Sequence, residues 1–184
     1  GPTFNSANGG SIVFDGTNDY VDLPAITTFL SELSVYTVSM WVNLSDISSQ
    51  QVLYGVNDEN GFGDNGGLFE FNFKSSNGIR FYPGIGYSNN KEMTLLASPV
   101  ANTWYHLCGR RSGSSASGFF NGSLIDSKTS VNSVNLATSS HRIARPKQDT
   151  RYLNGKVSGV SLYNTFLSED EIRQNYNATR GRFQ

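Results

Sequence analysis

Carboxyl and imidazole groups are the side chains best suited to acid, base or nucleophilic chemistry, and this sequence arranges few of them at a catalytic spacing. In the run LFEFNF, Glu70 alternates with Phe and Asn, so no second carboxylate shares its strand face. Hydrolysis of a glycosidic bond requires two carboxyl groups that flank the bond. His106 lies between Tyr105 and Leu107, and His141 begins a predicted strand, so we expect both to be structural. The sequence therefore predicts that the protein is not an enzyme.

Other motifs that carry catalysis are also missing from the sequence. It has no Gly-x-Ser-x-Gly nucleophile elbow, no set of His and Cys at zinc-binding spacing, and no phosphate-binding loop. Cys108 is the only cysteine, so an intramolecular disulfide cannot form. Because it lies in the strand-like run TWYHLCG, we expect it to be a small buried hydrophobe rather than a reactive thiol.

The turn FDGTNDY, residues 14–20, offers oxygen ligands for a hard cation. Calcium accepts about six to eight oxygen ligands, including main-chain carbonyls, so the backbone near Gly16 and the carboxylate of Asp19 are candidate ligands. The alternative is a turn that hydrogen bonds of Asp15 and Asp19 stabilise without an ion. The sequence leaves both interpretations open.

The acidic stretch VNDENGFGDNGG, residues 56–67, is a second candidate binding loop. Asp58, Glu59 and Asp64 are combined with asparagine amides, and such groups bind calcium or the hydroxyls of a sugar. The spacing does not match an EF-hand loop. The alternative is a solvated, glycine-rich turn without a ligand.

Two further stretches, FYPGIGYSNNK (81–91) and RIARPKQDTRY (142–152), have the composition of a sugar-binding surface. Aromatic rings cover the apolar faces of sugars, while amide and charged groups meet the hydroxyls. The alternative is that the tyrosines are exposed strand aromatics without a ligand. The candidate ligand-binding residues at these predicted strand ends and loops are Tyr82, Tyr87, Asn89, Asn90, Arg145 and Arg151.

These candidates must be positioned by β-strands, because apolar and polar residues alternate along most of the chain. Phe69, Phe71 and Phe73 share one face of a predicted strand, with Glu70 and Asn72 on the other. Such alternation is typical of half-buried antiparallel strands. Strands are predicted at 11–15, 20–23, 36–44, 51–56, 69–74, 79–81, 94–97, 103–111, 117–121, 123–128, 141–145 and 155–163.

Asn-Gly pairs predict how these strands are joined. Both residues tolerate a positive φ, so the pair suits the type I′ turn of a hairpin, as in GFFNGSLIDS at 118–127. The pair recurs at Asn60-Gly61, Asn65-Gly66, Asn77-Gly78 and Asn154-Gly155.

The segment LSEDEIRQNYNATRG predicts one helix. Ser168 and Glu171 have the spacing of a capping box, and Ile172 and Tyr176 lie on one helix face. The helix should end before Gly181. About a dozen strands and one late helix predict an all-β fold, a two-sheet antiparallel β-sandwich of jelly-roll type.

Composition limits the possible partners. The chain has 184 residues with 14 Lys and Arg against 15 Asp and Glu, and no basic cluster, which argues against nucleic acid as a partner. No apolar run approaches the length of a membrane span or signal peptide, so no membrane insertion is expected. Gly1-Pro2 resembles the scar that protease cleavage leaves on a cloned protein. We expect residues 3–184 to form a single domain.

Three blocks together resemble the laminin G-like, concanavalin A-like jelly-roll domains in order and spacing. They are SIVFDGTNDYVDLP (11–24), NTWYHLCGRRSGSSASGFFNGSLIDS (102–127) and YLNGKVSGVSLYNTFLSEDEIRQNYNATRGRF (152–183). The last block is most similar to versions in phage virion and bacterial surface proteins. The resemblance implies a concave sheet and loops that bind glycans or protein partners, with calcium in some members. Relatives often have Asp where this chain has Ser158, which removes charge from the calcium site.

From this resemblance and the missing catalytic residues we expect a non-catalytic recognition module. It would bind carbohydrate or another surface polymer, on a phage virion (tail fibre or capsid surface) or on the extracellular surface of a bacterial cell. One alternative is a structural domain that decorates a capsid or builds a fibre with other virion subunits, without glycan binding. Another is a polysaccharide lyase or hydrolase that uses Glu70 or His106.

Overall fold

The computed structural model describes residues 1–23, 35–57, 69–84, 91–131, 140–145 and 150–183. Its strands are β1 (Thr3–Asn5), β2 (Ser11–Asp15), β3 (Val21–Asp22), β4 (Val35–Leu44), β5 (Gln51–Asn57), β6 (Phe69–Lys74), β7 (Gly78–Tyr82), β8 (Met93–Leu96), β9 (Trp104–Ser112), β10 (Ser115–Phe120), β11 (Ser123–Lys128), β12 (Ser140–Ile143) and β13 (Asn154–Tyr163). One α-helix, α1 (Glu169–Thr179), follows the last strand, and single 3₁₀ turns lie at Ala7–Gly9 and Arg180–Arg182.

The strands form two antiparallel sheets packed face to face. The seven-stranded sheet has the order β1-β2-β13-β4-β9-β10-β11, and the six-stranded sheet has the order β3-β12-β5-β6-β7-β8. Consecutive described strands change sheet six times, at β2–β3, β3–β4, β4–β5, β8–β9, β11–β12 and β12–β13, so both layers are built from separated parts of the sequence. The predicted two-sheet sandwich with one short helix is therefore confirmed.

The core between the sheets is built from alternate residues of the strands. Met40 faces it from the seven-stranded sheet, and Phe69, Phe71, Phe73 and Phe81 face it from the six-stranded sheet. The ring of Phe81 lies 5.1 Å from that of Phe69 and 5.0 Å from that of Phe71. Such ring contacts add to the free energy gained from apolar burial. The predicted shared face of the three phenylalanines on β6 is confirmed.

The turn between β10 and β11 is the one that its Asn-Gly pair predicts. Asn121 has a φ of 48° and Gly122 a φ of 77°, both positive as a type I′ turn requires. The Asn121 side chain accepts a hydrogen bond from the backbone N–H of His106 at 2.9 Å, which holds the turn against β9. A Cβ atom at Gly122 would lie 2.8 Å from the ring of Tyr176, so the turn also packs closely under α1.

Helix α1 begins with the predicted capping box. The Ser168 hydroxyl accepts from the backbone N–H of Glu171 at 3.2 Å, and the Glu171 carboxylate accepts from the backbone N–H of Ser168 at 2.7 Å. Ile172 is buried against the sheet, and the helix ends at Thr179, before Gly181 as expected. Across the described ranges, no helix combines the length and apolar character that crossing a bilayer demands.

The other Asn-Gly pairs have different outcomes. Asn77 and Gly78 join β6 to β7 as expected, although only Gly78 has a positive φ. Asn154-Gly155 does not form a turn, because both residues begin strand β13, which was predicted to start at residue 155. A Cβ atom at Gly155 would lie 2.2 Å from the carbonyl oxygen of Asn43, so this glycine allows close strand approach instead. Asn60-Gly61 and Asn65-Gly66 lie outside the described residues.

Strand β1 was not predicted from the sequence. It has only three residues, Thr3–Asn5, which are too few to show alternation. It pairs with β2 at the edge of the seven-stranded sheet.

Candidate functional site

The outer face of the six-stranded sheet carries polar and charged side chains. Glu70 and Asn72 of β6 lie opposite Tyr82 and Arg80 of β7, respectively. Alternation predicts this orientation, but the expected half-exposed face is wrong here, because the relative exposure is 0% for Glu70 and Asn72. Arg80 and Tyr82 are buried as well. Buried polar groups need partners in the protein, so these side chains must satisfy one another.

Hydrogen bonds and ion pairs join these side chains into a network. Arg151 Nη1 lies 3.2 Å from Glu70 Oε1, and the Asn72 amide donates to the same oxygen. Arg80 Nε donates to Asn72 Oδ1 at 3.2 Å. The fixed partners hold each side chain in one position. We call this set the outer-face network, and its members are Glu70, Asn72, Arg80, Tyr82, Glu92 and Arg151.

Glu92 closes the outer-face network beside β8. Its carboxylate lies 3.0 Å from Arg80 Nη1 and accepts from the Tyr82 hydroxyl at 2.5 Å. The Arg80 guanidinium also lies 5.1 Å from the centre of the Tyr82 ring. Because the Glu92 side chain is 38% exposed, this end of the network reaches solvent.

A second group of side chains lies at the β3 and β12 end of the same sheet. The ring of Tyr20 lies 4.8 Å from the guanidinium of Arg142 and 5.2 Å from that of Arg145. Arg145 lies 5.0 Å from the ring of Tyr152, and Arg142 forms an ion pair with Asp22. Stacking on aromatic rings fixes the planes of the guanidinium groups. We call Tyr20, Arg142, Arg145 and Tyr152 the arginine–tyrosine cluster, and all four side chains are half-buried.

Strand register aligns the two groups on one row. Arg142 of β12 lies opposite Gly55 of β5, Gly55 lies opposite Glu70, and Glu70 lies opposite Tyr82. Directly paired residues in neighbouring strands point to the same face. Gly55 has no side chain, so the row has a gap between Arg142 and Glu70. Gly55 is itself buried, as are Glu70 and Tyr82, so the face reaches solvent at Glu92 and at the half-buried arginine–tyrosine cluster rather than along the middle of the row.

The two carboxylates of the outer-face network are both bound by arginine. Glu70 meets Arg151, and Glu92 meets Arg80 and the hydroxyl of Tyr82. A glycosidase needs one carboxyl group that gives up a proton beside a second that is ionised. Carboxylates held by guanidinium groups are instead suited to fixed hydrogen bonding.

Three predicted ligand-binding residues are described, and the structure brings them to the same side of the six-stranded sheet. Tyr82 and Arg151 belong to the outer-face network, and Arg145 to the arginine–tyrosine cluster. Tyr82 is 6% exposed rather than free at a strand end, because its hydroxyl is bound to Glu92. Their role in ligand binding stays a prediction. The remaining predicted ligand-binding residues, Tyr87, Asn89, Asn90, Asp58, Glu59 and Asp64, lie outside the described residues.

Several residues of this face were not predicted from the sequence. Arg80 and Glu92 belong to the network, while Tyr20, Arg142 and Tyr152 belong to the cluster. Period-two alternation places Arg80 and Tyr82 on one face of β7, so Arg80 could have been found by extending the Tyr82 prediction. The partners of Tyr20 come from β12 and the β12–β13 connection, and no local pattern encodes that contact.

The predicted cation site at Gly16 and Asp19 is a hydrogen-bonded turn. The Asp15 carboxylate accepts from the backbone N–H of Thr17 at 2.8 Å, and that of Asp19 accepts from the backbone N–H of Asp15 at 3.1 Å. Asp19 Oδ1 lies 3.3 Å from the terminal ammonium group of Gly1. In the described part of the chain, three or more His, Cys, Asp or Glu residues do not gather into a metal-binding group. Calcium at this turn stays a prediction.

The outer face of the seven-stranded sheet is covered by α1. The Trp41 ring stacks on Phe183 at 4.3 Å and on Tyr176 at 5.7 Å, and its Nε1 donates to Thr179 Oγ1 at 3.0 Å. This packing leaves Trp41 only 4% exposed. The outer face of the seven-stranded sheet thus packs against α1. The outer face of the six-stranded sheet instead carries the paired residues Arg142, Gly55, Glu70 and Tyr82, which we call the polar row.

Both histidines are buried. His106 lies 5.2 Å from the Trp41 ring, and His141 pairs through Nδ1 with the Tyr54 hydroxyl at 2.9 Å. Burial lowers the pKa of each to about 4, because the charged imidazolium loses its hydration. These positions agree with the predicted structural role. Cys108 is 1% exposed and burial raises the pKa of its thiol, as expected of a small buried hydrophobe.

Comparison with known proteins relates this geometry to a family. The family model described as the concanavalin A-like lectin/glucanases superfamily matches residues 15–173. No curated protein sequence matches the chain.

Solved structures share the fold at low sequence identity. Domain 4 of AbnA, an extracellular arabinanase from Geobacillus stearothermophilus solved with arabinotriose, has a TM-score of 0.73 and 14% identity, covering 95% of this chain and 80% of that one. A heptameric pentraxin from Limulus polyphemus has a TM-score of 0.66 and 16% identity, with coverages of 89% and 79%. Trypanosoma rangeli sialidase with sialic acid has a TM-score of 0.72 and 18% identity, and this chain spans 28% of its length. With the family model matching most of the sequence, the chain belongs to the concanavalin A-like lectin/glucanase superfamily.

Proposed function

We propose that this domain recognises carbohydrate, without catalysis, through the outer face of its six-stranded sheet and the loops at the rim. The observation that carries the proposal is the half-buried arginine–tyrosine cluster at one end of this face, where Arg145 lies beside the rings of Tyr20 and Tyr152. Guanidinium, carboxylate and phenol groups bind sugar hydroxyls through hydrogen bonds. Because stacking and ion pairs already fix these groups, little conformational entropy is lost when a ligand binds.

The comparisons support a carbohydrate as the ligand. The family description names lectins and glucanases, and the AbnA domain was solved in complex with arabinotriose. The half-buried rings of Tyr20 and Tyr152 add aromatic surface beside Arg145. An aromatic ring beside charged hydrogen-bonding groups matches the mixed apolar and polar character of a sugar.

A glycan array followed by calorimetry tests the proposal. The wild-type protein should bind at least one class of oligosaccharide or polysaccharide on the array. Arg145→Ala should then weaken the affinity about tenfold, the effect of losing about one charged hydrogen bond. The matched control is Arg173→Ala on α1, where the side chain is 61% exposed on the other side of the molecule. Equal affinities of the two variants, or no glycan binding at all, would reject the proposed site.

A polysaccharide panel separates recognition from catalysis. We expect no new reducing ends and no unsaturated products after incubation with the protein. Turnover that disappears in Glu70→Gln or His106→Asn would instead assign a hydrolase or lyase activity.

We also propose that the domain acts on a virion or on the surface of a bacterial cell, where the ligand is a surface polymer. Support comes from the resemblance of residues 152–183 to phage virion and bacterial surface proteins. The labelled protein should bind intact bacterial cells, and removal of their surface polysaccharide should abolish the binding. Binding that survives this treatment would point to a protein partner.

Exposed apolar side chains favour a second candidate function, assembly with other subunits. Phe4 on edge strand β1 is 75% exposed, and Leu124 and Ile125 on edge strand β11 are 41% and 45% exposed. Exposed apolar residues on edge strands are common at protein interfaces. Light scattering that shows an oligomer, lost in Leu124→Ser with Ile125→Ser, would favour a structural role in a fibre or capsid.

Calcium at the Gly16 and Asp19 turn is a further proposal. Asp19 is only 4% exposed, and its Oδ1 accepts no hydrogen bond within the described residues. The Ser158 hydroxyl donates to the carbonyl of Gly10 at 2.7 Å, so backbone carbonyls rather than Ser158 would complete the calcium shell. The melting temperature of the wild type should be higher in a calcium buffer than in an EDTA buffer. In Asp19→Asn the two melting temperatures should be equal. Equal melting temperatures of the wild type in both buffers would reject the site.

A further inference from the structure

A small hollow lies on the opposite side of the molecule, between α1 and the outer face of the seven-stranded sheet. Its volume is about 180 Å³. It belongs to a different sheet from the polar row and shares no lining residue with it. The sheet contributes Ser39, Trp41, His106 and Ser161 to its wall, and α1 contributes Asn175 and Thr179.

His106 is a polar side chain in this wall, and one of its ring nitrogens has no hydrogen-bonding partner among the described residues. It is 3% exposed, and its Nδ1 atom makes no hydrogen bond within the residues that the structure describes. The main chain of His106 is fixed by Asn121 on both sides, since His106 N–H donates to the Asn121 side chain and Asn121 N–H donates to the His106 carbonyl, each at 2.9 Å. The ring therefore stays beside the hollow.

The protonation state of His106 indicates which hydrogen-bonding groups a bound molecule must have. Burial lowers its pKa to about 4, so at pH 7 the ring is neutral, with one N–H donor and one acceptor nitrogen. A buried polar group without a partner is costly, and native structures satisfy most such groups with protein, water or ligand. His106 Nδ1 is closed to solvent, so a ligand would meet the imidazole through the ring atoms that line the hollow.

The wall of the hollow has more apolar than polar surface, and its described residues include polar groups but no acidic side chain. Ser39, Ser161 and Tyr163 supply hydroxyl groups, and Asn175 Nδ2 donates to the Tyr163 hydroxyl at 3.3 Å. Arg182 is the one charged side chain among the described residues that line the hollow, and it donates from Nε and Nη2 to the carbonyls of Asn8 and Gly9. The described wall offers no carboxylate that would hold a cation, and its hydroxyl and amide groups match a neutral molecule with several hydroxyls.

The volume of the hollow and its opening to the surface limit which class of ligand can bind. At roughly 30 Å³ per molecule, the hollow holds about six waters, which is the space of one small polyol. Gly159 and Ala178 lie at its wall and are exposed, so the hollow reaches the surface between the sheet and α1. Trp41 is stacked between Phe183 and Tyr176, so hydrogen bonds rather than ring stacking would hold the guest.

We propose that this hollow binds one small neutral polyol, between glycerol and a monosaccharide in size, with His106 and Ser39 as hydrogen-bonding partners. The site does not depend on the glycan-binding face proposed above. It is too small for an oligosaccharide, so the two sites take ligands of different length.

Imidazole resonances in NMR spectra provide the test, because the protein has two histidines and only His106 lines the hollow. Glycerol, glucose, galactose and arabinose are titrated separately into the whole chain at pH 7. We expect at least one of them to shift the His106 resonances saturably, with a dissociation constant in about the millimolar range. The resonances of His141, buried in the core, should stay unchanged.

Two variants separate binding in the hollow from general effects. Ser39→Ala keeps the space and should weaken the affinity about tenfold. Ala178→Trp places a bulky side chain from an exposed helix position at the wall and should abolish the shift without loss of folding. Parallel, unsaturated shifts of both histidines, or no shift of His106 with any of the four probes, would overturn the proposal. An unchanged affinity in both variants would overturn it as well.

Discussion

Glu70 shows how a charged side chain can be buried completely in a sheet face. Its carboxylate is 0% exposed and meets Arg151 and Asn72. Removing one partner from such a pair leaves the other charge buried, which costs more than the pair itself contributes. The sequence predicts the direction of this side chain from alternation, but it does not encode the partner, because Arg151 lies 81 positions away.

Arg151→Met tests the energetic role of this ion pair. The change keeps much of the side-chain volume but leaves the Glu70 carboxylate without its guanidinium partner, so we expect a loss of about 3 kcal/mol in the free energy of unfolding. Urea unfolding measures it. The control is Lys128→Met, which breaks the partly exposed Lys128–Asp126 pair and should cost no more than about 1 kcal/mol. If both variants lost the same free energy of unfolding, the buried Glu70–Arg151 pair would matter no more than a partly exposed pair.

The two histidines predict a pH dependence of stability. Burial lowers the folded pKa of His106 and His141 to about 4, below the unfolded value of about 6.5. Between these values the unfolded chain binds protons that the folded chain does not, so the free energy of unfolding falls as pH drops. Stability should be complete above pH 6.5 and decrease towards pH 4, by about 3 kcal/mol for each histidine at the lower limit.

Urea unfolding between pH 7.5 and pH 4.5 checks this prediction. The double variant His106→Gln, His141→Gln should lose most of the decrease in this window. NMR titration of the two imidazole rings gives an independent reading of the folded pKa values. A wild-type free energy of unfolding that stays constant over the window, or a folded pKa near 6.5, would show that the prediction is wrong.

At the scale of elements, the local signals predicted most strands and the helix. The type I′ turn at Asn121 and Gly122 and the capping box at Ser168 depend on a few adjacent residues, so the sequence specifies them directly. Strand β1 and the start of β13 depend on pairing with distant strands. Gly155 also depends on a distant strand, because the carbonyl oxygen of Asn43 on the neighbouring strand leaves no space for a side chain there.

Gly155→Ala tests that constraint. The new Cβ atom would lie 2.2 Å from the Asn43 carbonyl oxygen, so strands β4 and β13 would have to separate. We expect a loss of about 3 kcal/mol or more in the free energy of unfolding. Gly181→Ala is the matched control, since a Cβ atom there meets nothing within 4 Å, and it should change the stability by less than about 0.5 kcal/mol. If both variants had a similar free energy of unfolding, close approach of the Asn43 carbonyl would not be the reason for glycine at position 155.

On the scale of the whole molecule, the two outer faces differ in what covers them. Helix α1 covers the seven-stranded sheet through Trp41, whereas the six-stranded sheet carries the outer-face network and the arginine–tyrosine cluster. Alternation indicates that each sheet has a second face, but it does not say what covers that face. The two-sheet fold was therefore predictable from the sequence. Which outer face is covered by α1 and which carries the polar side chains could be seen only in the tertiary structure.

Carbohydrate binding by the outer face of the six-stranded sheet can be mapped by NMR chemical shifts with oligosaccharides of at least three sugars. Such ligands are too long for the hollow beneath α1. We expect saturable shifts at Tyr20, Arg145, Tyr152 and neighbouring positions of that face, with little change at Trp41 or along α1. Saturable shifts confined to α1 or the edge strands, or no shifts with any oligosaccharide that the glycan array selects, would contradict it.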